Sequence, residues 1–273
     1  MTSLGKRIRM ERIFNRASNK TIIVPMDHGL TIGTTKGIAN MPWIINEVAN
    51  GGANAVVVHA GIAENGHRGT AKIENTKDIG LIIHLSGSTK LSPNSTHKVL
   101  VCSVEEAIRL GADAVSIHIN IGADDEPAML EQMGQVSMAC RHWGMPLIAM
   151  MYPRGPSVKD EHLHEVVNLA ARAGAELGAD IVKTNYTGDI DSFKEIVRGC
   201  PVPVIIAGGP KMDNSKALLE TVHDAIEAGA SGIAMGRNIF EHAKPRDLTR
   251  CLSLIIHEKY TVEEAINETK ICD

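Results

Sequence analysis

The sequence predicts a single α/β domain built as a (β/α)8 TIM barrel. Eight short apolar runs rich in β-branched residues alternate with helical patterns along the 273 residues, the order expected of a closed parallel sheet wrapped in helices. The phrases NGGANAVVV, RLGADAVSI and ELGADIVKT share one logic, and EAGASGIAM repeats it: a helix end, a glycine turn and a small residue entering a strand. No Pro/Ser-rich linker or shift of composition divides the chain. Residues 1–273 are therefore expected to form one barrel, with 1–20 as an N-terminal helical extension and 246–273 as a C-terminal helical segment.

In order, the runs are TIIVPMD (21–27), AVVVHAG (55–61), LIIHLSG (81–87), AVSIHIN (114–120), PLIAMMY (146–152), DIVKTNY (180–186), PVIIAGG (203–209) and GIAMGRN (232–238). Each has strand length and the near-continuous hydrophobicity of a parallel strand covered on both faces. A further run, KVLVCS (98–103), reads as an accessory strand. Ser103-Val-Glu-Glu106 reads as a capping box opening a helix that Gly111 ends. A doubly wound sheet would place G-x-G-x-x-G after the first strand, but residues 27–33 read Asp-His-Gly-Leu-Thr-Ile-Gly. A Walker A loop is also absent from the sequence.

The chain is 44% hydrophobic and 22% charged, with a net charge of −4, a globular composition. Its 28 Lys and Arg against 32 Asp and Glu leave no basic footprint for nucleic acid or an anionic membrane. Aromatic content of 3% offers no base-stacking platform. The five cysteines, Cys102, Cys140, Cys200, Cys251 and Cys272, include no C-x-x-C pair, which excludes a zinc ribbon and argues against a disulfide scaffold. The N-terminal segment lacks the apolar stretch of a secretory signal, and no apolar run approaches the roughly 20 residues that span a bilayer. A cytoplasmic protein acting on small molecules is expected.

Barrel chemistry gathers at the C-terminal ends of the strands, which here carry Asp27-His28, His59, Ser86, His118 with Asn120, Tyr152, Lys183, Gly208-Gly209 and Gly236-Arg237. Lys183 shares a strand face with Ile181 and Asn185. Inside a barrel a lysine is poorly solvated, and desolvation favours the neutral amine that forms a Schiff base. A lysine snorkelling from the strand end, or paired with Asp27, fits equally well. Tyr152 and Asp27 are a phenol and a carboxylate that can relay the protons of such a reaction, although each also reads as a lip aromatic or a loop cap. The glycines and Arg237 end the seventh and eighth strands, where backbone N–H groups commonly meet a phosphate. His28, His59, His84 and His118 share no metal-ligand spacing, so a zinc aldolase is the minor reading.

VPMDHG, IAMMYPRG, GADIVKTNYTGD, IAGGPK and MGRNIF, in this order, resemble the archaeal-type class I aldolase family, related to the DhnA-type fructose-bisphosphate aldolases. The likeness covers essentially the whole chain. MDHG, LIIHLSG, GADAVSIH, GMPLIAMMYPRG and GRNIF are most similar to the methanogen branch that makes 2-amino-3,7-dideoxy-D-threo-hept-6-ulosonate. The resemblance implies a Schiff-base enzyme with no metal or cofactor. Lys183 matches the imine-forming lysine, Tyr152 the acid/base of Y-P-R, and Asp27 the aspartate of D-H-G. It further implies substrate or phosphate contacts at His28, Gly29, Pro153, Arg154, Gly208, Gly209, Gly236 and Arg237.

In that branch the reaction is a transaldol transfer. A 6-deoxy-5-ketofructose 1-phosphate donor is cleaved on the lysine, hydroxypyruvaldehyde phosphate leaves, and the enamine attacks L-aspartate semialdehyde. The product feeds an alternative route to 3-dehydroquinate and the aromatic amino acids. The alternative is a class I fructose-1,6-bisphosphate aldolase using the same three residues, and a third reading is a phosphate-binding barrel without covalent chemistry. Arg154, Lys211 and Arg237 are candidates for the acceptor carboxylate. The family forms homo-oligomers, decamers among them. Segments 31–37 and 61–77 carry no motif to which a role attaches.

Overall fold

All four repeated phrases fold into the same helix-to-strand turn. Gly52, Gly111, Gly178 and Gly229 take left-handed backbone (φ 104°, 79°, 94° and 102°). The following N–H then closes the helix: Ala53 donates to the Val48 carbonyl, Ala112 to Ala107, Ala179 to Gly174 and Ala230 to Ala225, each a Schellman closure. In three of the turns the next side chain reaches sideways to the neighbouring strand. Asn54 Oδ1 accepts from Ile22 N (2.7 Å), Asp113 Oδ2 from Leu81 N (2.9 Å) and Asp180 Oδ2 from Leu147 N (2.9 Å). The Gly-Ala-Asx phrase thus ends a helix, starts a strand and satisfies a buried donor of the adjacent strand.

The computed structural model describes residues 3–64, 78–212 and 214–271. Helix α1 (Leu4–Ile13) precedes β1 (Thr21–Pro25), α2 (His28–Ile32), α3 (Met41–Gly51), β2 (Ala55–Val58) and α4 (Ala60–Ile62). After β3 (Gly80–His84) come β4 (Ser86–Gly87), β5 (Val99–Leu100), α5 (Val104–Arg109) and β6 (Ala114–Ile121). Next are α6 (Glu126–Trp143), β7 (Leu147–Pro153), α7 (His164–Glu176), β8 (Ile181–Thr184), α8 (Ile190–Gly199) and β9 (Val204–Ala207). The chain continues through α9 (Ser215–Glu227), β10 (Gly232–Ala234), α10 (Arg237–Phe240), α11 (Pro245–Glu258) and α12 (Val262–Thr269).

Eight of these strands close a parallel barrel in the order β1-β10-β9-β8-β7-β6-β3-β2, one from each predicted run. Most strands are shorter than their runs because the last residues leave the ladder: Asp27, His59, Gly208, Gly209 and Gly236 all lie in the βα connections. KVLVCS contributes β5, which pairs antiparallel with β4 beside the barrel. Ser103 caps α5, accepting from Glu106 N at 3.1 Å.

Alternating residues point inward and outward. Ile23, Val57, Ile82, Ile148, Ile181 and Ile205 fill the barrel interior, while Ile22, Val56, Leu81, Val115 and Val182 pack beneath the helices. Both faces are buried, so the runs read as continuous apolar stretches. Below, α1 closes the barrel: Ile13 is fully buried in the interior cluster, with Met10 and Phe14 packed against it. The same Asp180 and Asp113 anchor this helix through Lys6 (2.8 Å) and Arg12 (2.5 Å). No helix among the described residues is long and apolar enough to cross a membrane.

Candidate active site

With its N-terminal face plugged by α1, the barrel opens at the C-terminal ends of its strands into a cavity of about 820 Å³. Lys183 stands on β8 between Met150 of β7 and Ile205 of β9. It follows the inward-facing Ile181 by two residues, so the strand's alternation turns it into the cavity, where it is 7% exposed. The described carboxylates, Asp27 included, make no ion pair with it within 4.0 Å. Asn185 continues the same face, its Nδ2 donating to the Glu161 carbonyl at 3.0 Å.

Tyr152 lies on the neighbouring β7, 6% exposed. Its ring centroid is 6.0 Å from Lys183 Nζ, 4.7 Å from Arg154 Cζ and 5.0 Å from the His118 ring. Both cations approach the electron-rich ring. His118 is held to Asn120 through Nε2 at 2.9 Å. Burial pushes His118 well below the usual histidine range, and the nearby Lys98 adds to the effect.

Asp27 follows β1 into a ring of imidazoles: His84 Nε2 lies 3.8 Å and His28 Nδ1 4.0 Å away. Burial would raise its carboxyl, but His84, His28, Lys183 and His59 outweigh that and bring it down to about 2. Burial also lowers His84 to about 4, although Asp27 works in the opposite direction. Between those values and neutrality the pair is carboxylate and neutral imidazole. On its other side His84 Nδ1 shares a hydrogen bond with the Ser116 hydroxyl, 2.8 Å away.

Across the cavity, the loop after β9 meets the start of α10. A Cβ on Gly236 would lie 2.4 Å from the Pro25 carbonyl oxygen, so only glycine allows this approach. Arg237 Nη2 donates to the Gly209 carbonyl at 3.1 Å, while its buried Nε has no hydrogen-bond partner. Asn238, 4% exposed, clamps the loop: Nδ2 donates to the Gly208 carbonyl (2.8 Å) and Oδ1 accepts from Met212 N (2.7 Å). The rim formed by Gly208, Gly209, Lys211, Gly236 and Arg237 is cationic and suits a phosphate.

The structure brings Asp27, His28, Tyr152, Arg154, Lys183, Gly208, Gly209, Gly236 and Arg237 into one cavity. Gly29 borders an adjoining groove of about 500 Å³ instead, and Pro153 is buried at the end of β7 without lining either space. Thr31 and Ile32 of segment 31–37 also line the cavity. Residues 65–77 of segment 61–77 lie outside the described residues. His28, His59, His84 and His118 all line the cavity, but among the described residues no three His, Cys, Asp or Glu side chains are grouped to hold a metal ion. Sequence reasoning missed Asn238, Ser116 and Lys98. The GRN phrase already contained Asn238, whereas the other two depend on contacts made across the fold.

Residues 21–242 match the DeoC/LacD family of aldolases. The chain is 40% identical over 266 residues to the 2-amino-3,7-dideoxy-D-threo-hept-6-ulosonate synthase of Halobacterium salinarum, covering 97% of each chain. It is 44% identical over 263 residues to synthase 1 of the same name from Archaeoglobus fulgidus, covering 96% of this chain and 95% of that relative. A solved Schiff-base-forming fructose-1,6-bisphosphate aldolase superposes with a TM-score of 0.84 at 34% identity, over 92% of this chain and all of that one.

Proposed function

The chain belongs to the DeoC/LacD family of aldolases, and from that premise we propose that it is a transaldolase-type synthase working through a Schiff base on Lys183. The substrates are those of the synthase branch, a 6-deoxy-5-ketofructose 1-phosphate donor and an L-aspartate semialdehyde acceptor. The product is 2-amino-3,7-dideoxy-D-threo-hept-6-ulosonate, for the alternative route to 3-dehydroquinate. One observation carries the chemistry: the Lys183 amine stands inside the barrel mouth beside Tyr152 and in the field of Asp27. The length and identity of the match to the two named synthases favour this substrate pair over fructose bisphosphate.

The Lys183 nitrogen attacks the donor ketone, and loss of water from the carbinolamine gives an iminium. A base then removes the proton of the hydroxyl beside the scissile bond. That C–C bond breaks, and its electron pair moves into the iminium to leave a neutral enamine and a free aldehyde. Attack of the enamine carbon on the acceptor aldehyde forms the new bond, the alkoxide takes a proton, and water hydrolyses the imine. We assign the proton transfers to Tyr152 and Asp27, and donor phosphate binding to Gly208, Gly209, Gly236 and Arg237, with His28 beside them. The iminium is the electron sink, so EDTA should leave turnover unchanged. We place the enzyme in the cytoplasm as a homo-oligomer on the family resemblance.

Borohydride trapping in EDTA, followed by peptide mass spectrometry, tests this reading with each sugar separately. It expects a reduced adduct on Lys183 with the deoxyketose phosphate and none in Lys183→Ala. An adduct with fructose 1,6-bisphosphate and release of triose phosphate would assign the chain to the aldolase reaction. No adduct with either sugar would reject covalent catalysis.

A further inference from the structure

The chemistry assigned above leaves His118 without a task, although its ring is fixed inside the barrel mouth. Ala114 of the same strand fills the barrel interior, so alternation along β6 turns His118 inward as well. On β7, Met150 pairs with His118 on one side and with Lys183 on the other. The imidazole therefore approaches the Tyr152 ring from the β6 side, at 5.0 Å between centroids, while Lys183 Nζ approaches it from the β8 side, at 6.0 Å.

Two hydrogen bonds decide which ring nitrogen carries the hydrogen. Asn120, 1% exposed, donates through Nδ2 to the Thr96 carbonyl at 2.6 Å. A carbonyl only accepts, so it is the amide oxygen, Oδ1, that meets His118 Nε2 at 2.9 Å. Oδ1 only accepts too, and Nε2 must carry the hydrogen. Burial, with Lys98 adding to it, lowers the ring well below the usual histidine range and keeps it neutral, so Nδ1 is a bare lone pair. That nitrogen bonds to no described residue and is accessible from the cavity that the ring lines. So weak a base accepts a hydrogen bond without removing the proton, which suits a hydroxyl that must survive the reaction.

This step rests on the transaldol reading. Loss of hydroxypyruvaldehyde phosphate from the donor leaves three carbons on Lys183: the iminium carbon, a methyl arm, and the reacting carbon with its hydroxyl. That hydroxyl is neither made nor broken. Two carbons separate its oxygen from the lysine nitrogen, so it stays within about 4 Å of Nζ, in reach of an acceptor across Tyr152. On the other flank of Lys183, Ala207 and Ala234 line the cavity and offer the methyl arm an apolar wall. We infer that His118 Nδ1 accepts a hydrogen bond from the hydroxyl of the reacting carbon, and that this contact keeps the nucleophilic carbon on the hydroxyl-bearing arm rather than the methyl arm. His118 moves no proton. It selects the carbon that attacks.

Hydroxyacetone is the retained fragment as a free ketone, and both of its arms can be followed by NMR in deuterium oxide. Its imine on Lys183 loses a C–H proton to give the enamine, and a deuteron from solvent returns to the same carbon. Wild-type enzyme should label the hydroxymethyl carbon over the methyl by roughly tenfold more than a free amine does, the scale of one hydrogen bond. His118→Phe keeps a ring against Tyr152 and should bring the ratio back to that of the free amine. His118→Asn, whose amide presents an acceptor near the Nδ1 position, should restore part of the preference. A ratio within one molecule cancels any general loss of activity. A wild-type ratio no greater than that of the free amine, or no labelling above a Lys183→Ala blank, would overturn the contact whether or not His118→Phe folds. So would an unchanged ratio in a folded His118→Phe, which would leave the imidazole as packing. Borohydride trapping of the donor on wild-type Lys183 separates the two failures. Without an adduct the Schiff-base reading falls and the contact with it, whereas an adduct without the preference removes the contact alone.

Discussion

Asp27 and His84 show how one residue's charge is set by its neighbours. The carboxyl is held down to about 2 and the imidazole to about 4, so neither changes charge between about pH 5 and neutrality. Asp27→Asn should therefore lower turnover by roughly 10²-fold or more at every pH in that range, without moving the acid limb of the rate profile. A limb that moves with the substitution would mean that Asp27 titrates there. Tyr152→Phe keeps the ring between His118 and the two cations but removes the hydroxyl. It should fold normally and lose about 10²- to 10⁴-fold in turnover; near-normal turnover would leave Tyr152 as packing alone. Ser116, fully buried, acts one step further back. Ser116→Ala removes the hydroxyl hydrogen-bonded to His84 Nδ1, which orients the ring, and the loss should fall on kcat while the donor KM changes little. A matching loss of thermal stability with kcat intact would mark the contact as structural.

Elements were legible where their instructions are local. The Gly-Ala phrase encodes helix end, turn and strand start within a few residues, and the four turns it predicts form, three of them with the Asx that follows. Lys183 was readable as a strand-end residue because alternation with Ile181 sets its direction. The β4–β5 ribbon was only half legible: KVLVCS suggested a strand, but its two-residue ladder pairs with a segment just past β3, a long-range choice that no periodicity shows. Lys98 was lost for the same reason. Asn238 was hidden because its hydrogen bonds run to the loop after the neighbouring strand β9, some 26–30 residues earlier in the chain. That loop and α10 make one unit, so Asn238→Leu should loosen the glycine rim and leave the Gly208 carbonyl and the Met212 N–H without this partner. Steady-state kinetics should show a phosphosugar KM raised about tenfold, the scale of a lost buried hydrogen bond, with Lys183 still trapped by borohydride. An unchanged KM would mean that the rim keeps its shape without the clamp.

On the scale of the molecule, a closed barrel with both sheet faces covered must bury whatever polar groups its chemistry requires. Here burial holds several imidazoles uncharged: His84 and His257 are lowered to about 4, His118 is far below its usual range and His28 is lowered too. In the unfolded chain each returns to about 6.5. As pH falls below that value, the unfolded state takes up protons that the folded state refuses, and folding is penalised. The contribution of these histidines is complete above about pH 6.5 and is lost progressively as pH falls toward their folded values near 4. Asp27 behaves similarly in a lower window: its contribution is present above about 3.9 and is lost as pH falls toward 2. Each refused proton changes stability by up to about 1.4 kcal/mol per pH unit. Three such histidines would lower Tm by roughly 5–10 °C between pH 6 and pH 5 in a chain of this size. Scanning calorimetry across pH 8 to 4.5 should give a flat Tm above about pH 7 and a steep fall below 6.5. His257 lies outside the active cavity, bound to Ser18 Oγ at 2.8 Å and Asn54 Oδ1 at 3.1 Å, so His257→Gln should make that fall shallower without changing the active-site histidines. A Tm that stays level down to pH 5 would show that the folded barrel accepts these protons, and that its imidazoles are not held neutral by burial.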